Sequence, residues 1–340
     1  MKYRSIRLAN NLIFAQNRAF MTRKIQLILN ESEITAGTRG ASLGPNAVKI
    51  AAWKKQSNYF SKFENQLVIR NNEVLLNKPP QFPFAKRIEG LVEVFEQLDT
   101  HISNTFSANN FPLLIAGDHG SAGGTIAAIK NHFPTKRLGV VWIDAHGDLH
   151  TPYTTPSGNM HGMPLATALA VDNLDSKINE PKADVSGYWN KLKEFGGLSP
   201  KIQPEDLVFI AVRDTEKPED LLIESLGIRN FEVAEVNEKG TDVIVQEVLH
   251  QLSACDFIYV SFDVDSMDPK LVSHGTGTPV DNGLTPEQAL QIMTGIILSG
   301  KLVCLEFVEI NPCLDEKKNK MAEVAFDLLE QITPYIEQQL

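Results

Sequence analysis

Hydrophobic positions along the chain fall into short runs separated by longer stretches of helical periodicity. The runs are KIQLILN (24–30), QLVIR (66–70), FPLLIAGD (111–118), LGVVWIDAHGD (138–148), DLVFIAVRD (206–214), DFIYVSFDVD (256–265) and KLVCLEFVEINP (301–312). Each is nearly continuous in apolar residues, as strands covered on both faces require. Between them, GPNAVKIAAWKKQ (44–56) opens with the Gly-Pro of a helix start. Residues 84–107 are amphipathic, a further helix is predicted from about Ser121 to His132, and a last one from near Lys317 toward the C-terminus. Strand alternating with helix predicts an α/β fold with a parallel sheet between helical layers. The stretch 172–206 breaks the alternation and is read as a helical or loop excursion, not a domain boundary.

Ligands of such sheets bind beyond the carboxyl ends of the strands. Four of the runs end in an acid: LLIAGDH, VVWIDAHGD, YVSFDVD and LEFVEINP. Asp144, His146 and Asp148 stand at i, i+2 and i+4, and Asp263 and Asp265 at i and i+2. In extended chain that spacing places side chains on one side. Asp118 and His119 close a third strand. Several carboxylates in one pocket cannot all stay ionised without cations. The set His119, Asp144, His146, Asp148, Asp263 and Asp265 suits two divalent ions sharing carboxylates, and its oxygen-rich, two-nitrogen character favours manganese over zinc. Paired cations lower the pKa of a shared water, which points to hydrolysis. Glu309, an acid with no metal-pairing neighbour, is suited to a guanidinium.

Composition narrows the partners. The net charge of -10 disfavours nucleic acid and acidic membrane surfaces. No apolar run has the length of a membrane span. Cys255, Cys304 and Cys313 lack the spacing of a disulfide framework or zinc module, and the first two sit in apolar runs as buried thiols. The first twenty residues carry Lys2, Arg4, Arg7 and Arg18 and no acid. They are read as part of an N-terminal extension (1–23) ahead of one catalytic domain (24–340), with a transit peptide as the other reading. A cytoplasmic location is expected.

Taken together and in order, GDHG (117–120), DAHGD (144–148), SFDVDSMDP (261–269) and VEINP (308–312) resemble the ureohydrolase family, and RGASLGP (39–45) resembles its N-terminal loop. The resemblance runs from about residue 25 to 335 and is nearest to the arginases. It implies a three-layer αβα sandwich with a mostly parallel sheet of about eight strands, two manganese ions per subunit, and a homo-oligomer, trimer or hexamer. It gives His119, Asp144, Asp148 and Asp263 to one metal, and Asp144, His146, Asp263 and Asp265 to the other. Asp148 also orients the hydroxide, Glu309 holds the guanidinium, and His161 shuttles a proton to the leaving amine.

The segment SGNMHG within HTPYTTPSGNMHGMP (150–164) resembles the arginase loop for the amino-acid end of arginine. The resemblance places His150, Thr155, Ser157 and Asn159 around the α-carboxylate, Glu216 or Glu219 at the α-amino group, and Thr278 beside the site. Three positions depart from the family pattern: Gly120 stands for a Ser, His150 for an Asn and Glu216 for an Asp. The stretch before TGTP is also one residue longer. The leading expectation is hydrolysis of L-arginine to L-ornithine and urea. The others are agmatinase, guanidinobutyrase or formimidoylglutamase chemistry, and a non-catalytic metal-binding homologue.

Overall fold

The computed structural model describes residues 23–63 and 66–340. The N-terminal segment read as an extension lies, up to residue 22, outside the described residues. Eight strands form one sheet: β1 (Ile25–Glu31), β2 (Leu67–Arg70), β3 (Phe111–Ala116), β4 (Leu138–Ile143), β5 (Leu207–Ile210), β6 (Arg229–Phe231), β7 (Phe257–Asp263) and β8 (Leu302–Val308). Their order is β2-β1-β3-β8-β7-β4-β5-β6. Every pairing is parallel. Seven of the eight strands coincide with the apolar runs. The eighth, β6, carries the sequence RNF, too short and too polar to show a period.

Alternate residues of each strand enter opposite cores, as the pleat demands. In β4, Val141 and Ile143 pack on one side, with the helices Gly44–Lys54, Thr241–Gln251, Pro286–Ile297 and Lys320–Gln339. Leu138, Val140 and Trp142 pack on the other, with the helices Ile88–Ser107, Ala122–His132, Pro164–Leu169, Ala183–Lys193 and Lys217–Leu226. Burial on both faces explains the unbroken apolar runs. The stretch 172–206 contributes one of those covering helices, Ala183–Lys193.

Two helix starts differ from the predicted ones. The amphipathic helix begins at Ile88, because Arg87 ahead of it sits at φ 58. The last helix begins at Lys320, because Asp315 takes the backbone N–H of Lys317 and of Met321 and holds the intervening residues in a turn. Gly123 and Gly124, within SAGGT, serve packing. A Cβ on Gly124 would lie 2.8 Å from both Phe95 and Leu98, so these glycines let two helices approach closely.

Four adjacent central strands, β3, β8, β7 and β4, deliver the acids at their carboxyl ends. The constellation predicted from strand ends therefore rests on four rigid, neighbouring backbones.

Candidate metal centre and substrate cleft

Each strand hands its acids to the same point by a local backbone device. After β4, His146 N–H donates to Asp144 Oδ1 (2.7 Å), which turns the chain back on itself. Asp265 N–H donates to Asp263 Oδ1 (2.8 Å) and does the same after β7. Asp148 and Glu309 both adopt positive φ, 50° and 65°, uncommon for non-glycine residues, and this turns their side chains off the strand line. Gly117 is required where it stands, since a Cβ there would lie 2.1 Å from the Ser32 carbonyl oxygen.

The result is two converging groups. His119 Nδ1 faces Asp144 Oδ2 at 3.0 Å, Asp263 Oδ2 at 3.1 Å and Asp148 Oδ2 at 3.2 Å. His146 Nδ1 faces Asp265 Oδ2 at 3.1 Å and Asp144 Oδ1 at 3.4 Å. Asp144 thus offers one oxygen to each group. An imidazole nitrogen carries one proton at most and cannot satisfy three carboxylates. His119 Nδ1 and Asp148 Oδ2 are buried without a hydrogen-bond partner. Orphaned donors of this kind, hard oxygens and two imidazoles, fit a pair of divalent cations.

Electrostatics agree. Burial and then the charge of Asp144 push Asp148 well above the usual carboxylate range, and burial and then Asp265 do the same to Asp263. Asp144 is fully buried too, yet hydrogen bonds from His119 and His146 hold it below that range. Carboxylates this crowded take up protons unless cations replace them.

A cleft of about 310 Å³ opens over these groups. Lining it are all six predicted ligands together with His150, Thr155, Ser157, Asn159, His161, Glu216, Glu219, Thr278 and Glu309. Glu309 Oε1 accepts from the His119 backbone N–H (2.8 Å), and His161 Nδ1 lies 3.6 Å from the same oxygen. Thr278, despite the longer loop before it, donates to Asp265 Oδ2 at 3.2 Å. The SGN loop holds its own shape: Gly158 N–H donates to Thr155 Oγ1, Asn159 N–H to Ser157 Oγ, and Lys86 Nζ to Asn159 Oδ1.

The profile of the Arginase family matches residues 24–333. The chain belongs to the arginase family. It is 36% identical to the arginase of Bacillus caldovelox over 295 residues, 86% of this chain and 91% of the relative. It is 32% identical to the arginase of Bacillus subtilis (strain 168) over 320 residues, 92% and 98%. The native structure of the B. caldovelox enzyme superposes with a TM-score of 0.77 at 31% identity, covering 91% of this chain and 98% of the other. The arginase of Entamoeba histolytica, solved in complex with L-ornithine, gives 0.76 at 26% identity, covering 92% and 98%. The chain is accordingly an arginase-type hydrolase of a family dependent on two metals.

Within this arginase-family site, three predicted residues, His150, Glu216 and Glu219, are already engaged with one another. His150 Nε2 lies 2.6 Å from Glu216 Oε2 and 3.3 Å from Glu219 Oε2, and its Nδ1 faces Thr154 Oγ1 at 3.2 Å. Glu219 also accepts from Leu149 N–H (3.0 Å) and closes the capping box of helix Lys217–Leu226, so it doubles as a structural residue.

Sequence reasoning missed three participants. Trp142 stacks on the His119 ring (4.0 Å, 3°) and donates to Asp144. Ser261 Oγ lies 2.8 Å from His119 Nε2. Asp214 lines the cleft, 3.7 Å from His146 Nε2. Ser261 stood two residues before Asp263, at the same-face spacing used for DVD, so its signal was present; Trp142 had the same spacing to Asp144. Among the described residues, no helix is long and apolar enough to cross a membrane.

Proposed function

We infer that the cleft binds two manganese ions and hydrolyses the guanidinium of L-arginine to L-ornithine and urea. The observation that carries this reading is the convergence of Glu309 and His161 on the cleft beside the two metal-fitting groups. One group comprises His119, Asp144, Asp148 and Asp263; the other comprises His146, Asp144, Asp265 and Asp263. Cations bound there supply a water activated near neutral pH.

The chain's own residues do the rest. Asp148 accepts a hydrogen bond from the attacking water and orients it. Glu309 keeps lone pairs free after bonding His119 N–H, and takes the planar guanidinium by paired N–H···O bonds. His161, raised above its ordinary value by Glu309 and Asp148 against the effect of burial, carries a proton to give to the departing amine. Thr155, Ser157 and Asn159 face the α-carboxylate, and the His150–Glu216 pair faces the α-amino end. Asp144 and Asp263 would each offer oxygens to the cations.

A second reading, another guanidino or formimino substrate, gains support from one feature: Glu216 is partly neutralised by His150. The test is urea release by the manganese-loaded protein from arginine, agmatine and 4-guanidinobutyrate, with release of formamide from formiminoglutamate alongside. Arginine is expected to be turned over fastest. Preference for agmatine, or for formiminoglutamate, would overturn the arginine assignment.

A further inference from the structure

Behind His119, on the side away from the cleft, a row of polar side chains runs into the core. His119 Nδ1 faces the carboxylates, so a ring that holds a cation there carries its one N–H on Nε2. That nitrogen lies 2.8 Å from Ser261 Oγ. The Ser261 hydroxyl sits on the same face of β7 as Tyr259 and interacts with its hydroxyl, and Tyr259 Oη donates to Glu306 Oε2 at 2.5 Å. Glu306, Tyr259 and Ser261 have no exposed surface, and His119 has 1%.

Register explains why they meet. Tyr259 and Ser261 are two apart on β7 and share a face, and Ser261 lies opposite Glu306 on β8. Their neighbours, Cys304, Leu114 and Trp142, belong to an apolar core. A carboxyl group there costs free energy that an apolar residue would not. Burial pushes Glu306 above its usual range, while the hydrogen bond from Tyr259 opposes the shift. Whether charged or neutral, Glu306 keeps an oxygen that accepts from Tyr259.

The N–H of His119 sets the direction of donation from its end of the row. His119 Nε2–H donates to Ser261, Ser261 to Tyr259, and Tyr259 to Glu306. Stacking on Trp142 fixes the plane of the His119 ring but not which edge faces the cations. A hydrogen bond to Nε2 selects the edge.

We propose that Tyr259 and Glu306 are positioning residues of the metal centre: through Ser261 they fix the Nε2–H tautomer of His119 and aim its Nδ1 at Asp144, Asp148 and Asp263. The proposal rests on the reading that these residues hold a cation. Relays from a metal-binding imidazole to a carboxylate raise ligand basicity, and their loss weakens metal binding by about 10–100-fold.

The test uses full-length protein loaded with manganese. Tyr259→Phe deletes one hydroxyl and keeps the ring. Metal content and release into excess chelator are followed by elemental analysis, beside thermal unfolding of the metal-free proteins. Tyr259→Phe is expected to release one of its two manganese ions about 10–100-fold faster, and the other at the wild-type rate. Its metal-free form is expected to unfold somewhat below the wild-type temperature, because Glu306 loses its donor, so release is compared well below both transitions. Glu306→Gln, which still offers an acceptor, is expected to stay near wild type. Release of both ions at wild-type rates from Tyr259→Phe would overturn the relay, as would an equal acceleration of both. Should that variant fail to fold, Ser261→Ala cuts the row next to His119, and wild-type release from it overturns the proposal equally. Wild-type protein that takes up no manganese would overturn the cation site, and the relay with it.

Discussion

His150 Nε2 and Glu216 Oε2 stand 2.6 Å apart at the outer end of the cleft. The hydrogen bond from His150 holds Glu216 down to about 2, and His150 rises above its ordinary value because Glu216 and Glu219 outweigh its burial. The pair places a cation beside the residue suited to an α-ammonium group. Replacing His150 by Asn removes that positive charge and frees Glu216. Agmatine keeps an ammonium and lacks the carboxylate, so it gains most. The ratio of kcat/KM for arginine over agmatine is expected to fall about 2–5-fold in His150→Asn, the size of one partly exposed charge interaction. An unchanged ratio in steady-state urea assays would remove His150 from substrate selection.

Removal of the cations should cost stability as well as activity. Buried carboxylates left without counter-charge must take up protons or repel one another. A ligand held at about 100 times its Kd stabilises by about 2.7 kcal/mol per site. Each kcal/mol moves the Tm of a 340-residue chain by about 1.5 °C, so two sites are worth roughly 8 °C. Calorimetry before and after dialysis against chelator measures the drop. Refilling with manganese is expected to restore more activity than refilling with zinc.

The proposed metal ligands after β4 and β7 were legible in the sequence because they obey a two-residue period at the ends of strands that are apolar on both faces. Asp144, His146 and Asp148 needed no long-range information to be grouped. That β3, β8, β7 and β4 are neighbours in the sheet was not legible, since strand order follows from packing of helices far apart in the chain. His150 is the plainest case. The family resemblance implied a substrate contact for it, while its pairing with Glu216, 66 residues on at a helix cap, is a placement only the fold determines. The Gly120 departure became intelligible the same way, through Thr35.

Lys201 provides a pH test away from the metals. Its side chain is 3% exposed, and its Nζ donates to the carbonyls of Lys193 (2.6 Å), Leu198 (3.2 Å) and Leu192 (3.4 Å). Burial lowers it from 10.5 to about 8. Between those values the unfolded chain binds more protons than the folded one, so stability rises with pH. Below pH 8 both states are protonated and the folded state carries the full penalty. Lys201→Met lacks this titration. The stability of wild type relative to Lys201→Met, from urea unfolding, is expected to rise between pH 8 and pH 10.5 by at most about 3 kcal/mol. A flat difference would show that the three carbonyls hold the ammonium at its ordinary value.

Gly120 leaves room for Thr35, and the two are expected to behave as one unit. A Cβ at 120 would lie 2.4 Å from Thr35 Oγ1 and 2.8 Å from its Cβ. Thr35 N–H donates to the buried Asp118 (2.7 Å), and its carbonyl accepts from the His161 backbone N–H (3.4 Å). Pushing Thr35 away therefore disturbs both the segment ahead of His119 and the residue proposed to carry the proton. Gly120→Ser is expected to cost about 1–3 kcal/mol, as overpacking does. It should also lower kcat more than it raises KM, because His161 acts in the chemical step. Trimming the neighbour, in Gly120→Ser with Thr35→Ala, removes the clashing Cγ2 and Oγ1, leaves the Cβ contact, and is expected to recover part of the lost stability. A double-mutant cycle by thermal unfolding measures the coupling, expected between about 0.5 and 3 kcal/mol for residues in contact. Strict additivity would mean that the Ser is accommodated elsewhere, and that Gly120 answers to some neighbour other than Thr35.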